Sequence, residues 1–191
     1  MPLILIALGV GAAALVAFAL RRASSASPTA APTPNSLEEV TVTAQRIASK
    51  YPLFSNPSFD PSKYRGIRNN NPGNIEWIAD PKKRWRGMIG QDGRYGVFDS
   101  ADNGIRAIGG ELKASIRKGQ NTIEQIMTEW APPSENPTAQ VIDTVCRIVG
   151  VSARQVIDVY SYMPAIAQGI VLEENGVQPY RPSDIKLWVY S

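Results

Sequence analysis

The run Tyr64–Trp77, YRGIRNNNPGNIEW, constrains the fold more than any other stretch of the sequence. Asn-Pro and Pro-Gly are turn dipeptides, and Asx side chains hydrogen-bond to their own backbone. Asn69 to Asn74 are therefore expected as a tight polar loop that delivers its chain onto Ile75 and Trp77. A surface turn would account for a random asparagine-rich hexamer, but this run is longer than a turn requires. A second unusual stretch, Ile170–Tyr180 (IVLEENGVQPY), lies far downstream. The two stretches are expected to form the two sides of one cleft.

What the chain lacks narrows its chemistry. It has 191 residues, no histidine and one cysteine, Cys146. An intrachain disulfide framework is excluded. So are a Ser-His-Asp triad, a Cys-His protease and a zinc hydrolase with histidine ligands. For a hydrolytic enzyme, carboxylates remain the best acid–base candidates. No metal and no cofactor is expected. The net charge of +3 and pI near 9.1 are too mildly basic to imply nucleic acid. They suit an anionic polymer such as a cell wall, or a membrane surface.

Leu3 to Leu20 form an uncharged apolar run of eighteen residues followed by Arg21 and Arg22. This length is at the short end of a membrane span. The uncharged start and the two arginines before Ser24-Ser25-Ala26 favour an uncleaved anchor over a signal peptide. Residues 1–22 are thus read as a transmembrane anchor, in a single-pass membrane protein of a virion membrane or a bacterial inner membrane. Arginines after the span place the rest of the chain in the cytoplasm by the positive-inside rule. A wall-facing domain requires the opposite, and a virion membrane need not follow that rule. Residues 23–58 read as a Pro/Ala/Ser-rich linker and an irregular segment. Within them, 38–51 mixes strand-like alternation with a helix-like turn.

The folded domain is expected over 59–191. Gly90-Gln91-Asp92-Gly93 followed by Arg94–Phe98 predicts a small hairpin. From Asp99 onward the signals are helical. Ile105, Ile108, Leu112 and Ile116 make the apolar stripe of a helix over about 101–117. Asn121 with Glu124 has capping-box spacing for a helix ending near Trp130. Asn136-Pro137 opens another, ending at Gly150, and Ser152 with Gln155 predicts a further start. Pro164 is expected to open a last helix of about ten residues, stopped by Asn175-Gly176. The tail, with Tyr180, Ile185, Leu187, Trp188 and Tyr190, is expected to pack on the body. The fold class is mainly α (α+β), with about five to six helices and one small β-hairpin.

Among the carboxylates, Glu174 stands out by helical phase. With Ile166 at zero and about 100° per residue, Ile170 falls near 40°, Ala167 near 100° and Glu174 near 80°, while Glu173 falls near 340°. Glu174 thus points into the apolar face, provided the helix reaches it. Desolvation there would raise its pKa, as a general acid at neutral pH requires. Glu76 and Glu135 are candidates for a second carboxylate, although Glu135 also reads as a first-turn acid favoured by a helix dipole. Cys146 reads as a core residue, and Lys82, Lys83, Arg84 and Arg86 as a solvated basic loop.

Pro164–Pro179, PAIAQGIVLEENGVQP, resembles the catalytic helix of soluble lytic transglycosylases and goose-type lysozymes. In those families an apolar helix ends in Glu-Ser-Gly; here Asn175 replaces the serine. Asn71-Pro72-Gly73-Asn74-Ile75, Trp85-x-Gly87, Phe98-x-Ser100 and Gly104-Ile105-Arg106-Ala107 resemble phage and prophage proteins named for the muralytic structural protein of enveloped double-stranded RNA phages. They are also similar to a motif series of bacterial glucosaminidases. In those the glutamate helix comes first, so the order here looks circularly permuted.

The resemblance implies a lysozyme-like domain that cleaves the peptidoglycan glycan strand in a phage virion or prophage context. Glu174 would be the general acid/base. Asn70, Asn71, Asn74, Trp77, Tyr95 and Tyr180 would be the substrate-binding residues. No Gly-Leu-Met-Gln segment follows Glu174, so support for the acid would come from the asparagine loop. Implied partners are peptidoglycan, a membrane through residues 3–20, and other virion proteins. The competing expectations are a non-catalytic, virion- or tail-associated wall-binding structural protein and a peptidoglycan endopeptidase.

Overall fold

The computed structural model describes residues 58–191. The expected anchor, the linker and the ambiguous 38–51 segment fall outside the described residues. Among those described, no helix is long and apolar enough to cross a membrane.

A 3-10 turn at Pro61–Lys63 leads into the short helix α1 (Arg65–Arg68) and the asparagine loop. Strands β1 (Met88–Asp92) and β2 (Tyr95–Phe98) form a two-stranded antiparallel sheet, with a register shift between Met88 and Gly90. Gly93, at φ +63°, is the first residue of the two-residue hairpin loop, where a positive φ suits the twist of the strands. Then come α2 (Ala101–Arg117), α3 (Ile123–Trp130), α4 (Thr138–Val149), α5 (Val159–Asn175) and α6 (Pro182–Tyr190). The described part is therefore mainly helical, with six helices and one small sheet.

Helix α5 lies at the centre of the domain. Met163, Ile166, Ala167, Gly169, Ile170 and Val171 are buried, so it is apolar on most of its circumference, as a helix enclosed by others must be. Helices α2 (with Ile105, Ile108 and Leu112 buried), α4 (with Val145) and α6 (with Ile185) close around it, and α3 packs on α4. Each such side chain stabilises the fold by about 1.5–3 kcal/mol relative to exposure.

Several elements differ from the sequence-based expectation. Pro164 lies inside α5 rather than at its start, and α5 is not the last helix. A proline deprives the carbonyl four residues back of its helical donor. Here the hydroxyl of Tyr190, on α6, donates to Tyr160 O at 2.9 Å and fills that role. No helix starts at Ser152. Its amide meets Gln155 Oε1 at 3.4 Å, but the segment's backbone serves α3 instead. Glu124 N donates to Ala153 O, and Ile157 N donates to Asn121 O. The N-cap of α3 is Thr122, which accepts from Gln125 N, one residue later than the Asn121–Glu124 spacing implied. Helix α4 likewise starts after Pro137, and Asn136 turns back to Pro132 O. In α2 the bounds are those expected, but Ile116 is exposed and Ser115 is buried in its place. Cys146 is partly buried, and burial pushes its thiol up to about 11.

Candidate functional site

The asparagine loop owes its shape to its own side chains. Asn70 and Asn74 take positive φ values of 51° and 45°, which asparagine tolerates better than most residues. Asn71 is fully buried. Its Nδ2 donates to Ile75 O and Gly96 O, each at 2.8 Å, and its Oδ1 accepts from Ile75 N. Asn71 therefore staples the loop to β2 and has no amide group left for a substrate. Asn70 donates to Phe98 O, and Asn69 donates to Asp92, which Arg68 also holds at 2.6 Å. The N-terminal part of α2 packs directly on this loop: a side chain at Gly104 would strike the carbonyl of Asn70.

The C-terminal end of α5 docks on the same loop. Asn175 Nδ2 donates to Pro72 O and to Val171 O, both at 2.8 Å. Asn74 Nδ2 donates to Glu174 Oε2 at 2.9 Å and reaches the Glu174 backbone carbonyl at 3.3 Å. The two unusual stretches of the sequence thus meet, joined by two successive residues of α5. From α3, Trp130 Nε1 donates to the other oxygen, Glu174 Oε1, at 3.0 Å. Both carboxylate oxygens are held by neutral donors, and Glu174 takes part in no salt bridge among the described residues. Burial pushes its pKa up. The bonds from Asn74 and Trp130 oppose that shift, and the neighbouring charge of Glu173 adds to it. Desolvation is the largest of these, and among the described residues no cation offsets it.

Glu174 lies on a cleft of about 570 Å³, lined by the asparagine loop, the hairpin, α2, α3 and the segment after α3. Glu76, Glu111, Glu129 and Glu135 also line it, with Arg94 as their cation. Arg94 sits on the hairpin loop and bridges two of them, at 2.7 Å to Glu76 and 2.9 Å to Glu135. Glu129 pairs with Lys118 and accepts from Gln120. Glu111 forms no ion pair among the described residues, and burial moves its carboxyl above the ordinary range. No group of acidic or cysteine residues that could hold a metal ion occurs among the described residues.

No protein-family model matches the chain. Over 125 residues it is 34% identical to Protein P5 of Pseudoalteromonas phage PM2, a match that covers 64% of this chain and 78% of that protein. The chain belongs to the Protein P5 family.

In this P5-family chain the cleft gathers part of the sequence-derived site and leaves part of it outside. Glu174, Asn74, Tyr95, Glu76 and Glu135 all line it. Asn70 and Asn71 are spent on loop geometry instead. Trp77 stacks under Arg84, whose guanidinium carbon lies 4.0 Å from the ring centre, and is not among the lining residues. Tyr180 is buried edge-on to Trp188, with ring centres 6.2 Å apart, and is a packing residue. Trp130, Arg94 and Glu111 are among the cleft residues that escaped the sequence reading. Trp130 offered no signal beyond its place at a helix end. Glu111 did, since it falls about 60° from Ile108 on the α2 wheel, on the side where the buried Ser115 lies.

Proposed function

We propose that this chain cleaves the glycan strand of peptidoglycan, as a lysozyme-like or lytic transglycosylase enzyme of a phage virion, with Glu174 as general acid and base. The observation that carries the reading is the environment of Glu174. It is a desolvated carboxyl on a cleft, oriented through both oxygens by an amide and an indole and paired with no cation among the described residues. Such a group keeps its proton to higher pH than a surface glutamate. Its place beside Asn175 and Gly176 at the end of an apolar helix supports the likeness to transglycosylase helices, and membership of a phage protein family supports the phage setting. Residues 3–20 would anchor the chain in a virion or host inner membrane, with the domain facing the wall.

In the proposed reaction Glu174 gives its proton to the glycosidic oxygen as the C1–O bond breaks. The leaving sugar departs with a free 4-hydroxyl. The resulting carboxylate then takes a proton from the nucleophile that attacks C1. If the muramoyl 6-hydroxyl attacks, the product is a 1,6-anhydro end; if water attacks, it is a reducing sugar. Asn74 and Trp130, which donate to the carboxylate form, are built for the second half of this cycle.

The test is mass spectrometry of peptidoglycan digested with the full chain and with Glu174→Gln. Anhydromuramic or reducing ends from the wild type, absent with the variant, are expected. Free peptide amines or no products at all from the wild type would refute the reading.

A further inference from the structure

A second cavity lies on the other side of α2 from the cleft. Its volume is about 280 Å³, and Arg86, Arg106, Lys113 and Arg117 line it together with Trp85 and Gly110. The pattern is written into the helix. Arg106, Gly110, Lys113 and Arg117 follow at spacings of four, three and four, which put them on one stripe, about 140–200° around from Ile108. The stripe is concave because its second member has no side chain. The ring of Trp85 lies against Gly110, where any Cβ would collide with it, and so forms one wall. Arg86, the next residue along, adds a cation from a separate loop.

The acids that face this group are few. Asp102 is 3.8 Å from Arg106, Asp99 feels Arg86, and Glu111, on the next face of α2, feels Arg117. Arg106 also donates to Asn103 and to Ser191 Oγ. Lys113 reaches only a backbone carbonyl, Tyr190 O, at 3.4 Å. Arg86, Lys113 and Arg117 form no ion pair among the described residues, so the cations of the pocket are not neutralised by direct pairing. Like charges three and four residues apart on a helix destabilise it. Gathered into a concave site with arginine forks, they match the bidentate geometry of phosphate oxygens.

We propose that this pocket binds a phosphate group, supplied either by a phospholipid headgroup or by a free phosphate. The proposal is independent of the chemistry assigned to Glu174. It concerns a different face of the molecule, where a bound phosphate would fix the orientation of the domain.

The test is isothermal titration calorimetry on the full chain in neutral detergent at constant ionic strength. The titrants are inorganic phosphate, sn-glycerol 3-phosphate and glycerophosphoglycerol, the soluble headgroup diester. Saturable one-to-one binding is expected. It should weaken about tenfold or more in Lys113→Gln/Arg117→Gln, since each charge-assisted hydrogen bond is worth about a factor of ten. Arg86→Gln, on the other wall, should weaken it too, and covers the case in which the double variant loses its fold. Lys82→Gln/Lys83→Gln, in the basic loop outside the pocket, should leave it unchanged. Tightest binding of the diester assigns the site to a lipid headgroup; tightest binding of inorganic phosphate assigns it to the free ion. No binding by the wild type, or equal losses in the pocket and loop variants, would overturn the proposal.

Discussion

At the floor of the cleft, Glu174 lies between an amide and an indole; at its mouth, Glu76 and Glu135 share one guanidinium. All three are glutamates on one cavity, yet their surroundings differ. Arg94 ties the two exposed carboxylates at the mouth by ion pairs, whereas burial of Glu174 favours its proton. The mouth is a solvated ion-pair cluster of the kind that contributes little to stability. The floor is a place where a proton can be stored and returned. Carboxylates that merely line a cleft are not equivalent candidates, and their partners distinguish them.

The largest expected effect separates these two regions directly. Glu174→Gln should lower wall-lytic activity by about 10²–10⁴-fold, the usual worth of a positioned acid–base group. Glu135→Gln should retain most of it in the same turbidity assay. A large loss at Glu135 with full activity at position 174 would invert the comparison. The glutamine is also tolerable to the fold. It has one acceptor oxygen where the carboxylate has two, but Asn74 Oδ1 is buried without a partner and could accept from the new amide after a rotation of the Asn74 side chain.

Next in size is a shift of the pH profile. Asn74 donates to the carboxylate and so lowers the pKa of Glu174. Asn74→Ala should raise that pKa and move the alkaline limb of the activity profile to higher pH, together with a loss of rate from poorer positioning. A limb that moves to lower pH would mean that Asn74 stabilises the acid form instead.

Glu174 should also leave a mark on stability. Its folded pKa lies above the unfolded value near 4.5, so its favourable contribution is complete below that pH and is lost as pH rises through the folded pKa. The stability of Glu174→Gln relative to wild type should therefore increase from pH 4 to pH 8 in urea unfolding. A flat difference would place the folded pKa at the ordinary value. The smallest effect belongs to the rim. Arg94→Gln should leave the urea-unfolding midpoint nearly unchanged, because its ion pairs are exposed. A clear drop in the midpoint would make the mouth a structural clasp.

Local patterns carried much of this architecture. The stripe of Ile105, Ile108 and Leu112 bounds α2, and the phase of Glu174 relative to Ile166 and Ile170 turns it toward the apolar side of α5. What the sequence hid depends on partners distant in the chain. Pro164 reads as a helix start until the Tyr190 hydroxyl is seen to serve the Tyr160 carbonyl. Asn71 reads as a ligand-binding amide until the carbonyls of Ile75 and Gly96 are seen to consume it. The Ser152–Gln155 pair reads as a helix cap, but the backbone there is bound to α3. Trp130 could be matched to Glu174 only once α3 was laid against α5.

The join between Asn74 and Glu174 also governs when the cleft can come into being. Its partners are 100 residues apart in sequence, and the Asn175–Pro72 bond beside it spans 103. Closing a chain segment of that length carries an entropic cost that local turns do not. The hairpin and α2 can form on their own stretches of chain, but the acid acquires its orientation only after α5 has docked on the opposite end of the domain. A partly unfolded chain therefore has all the residues of the cleft without its geometry, and the competence of the site reports the completion of folding.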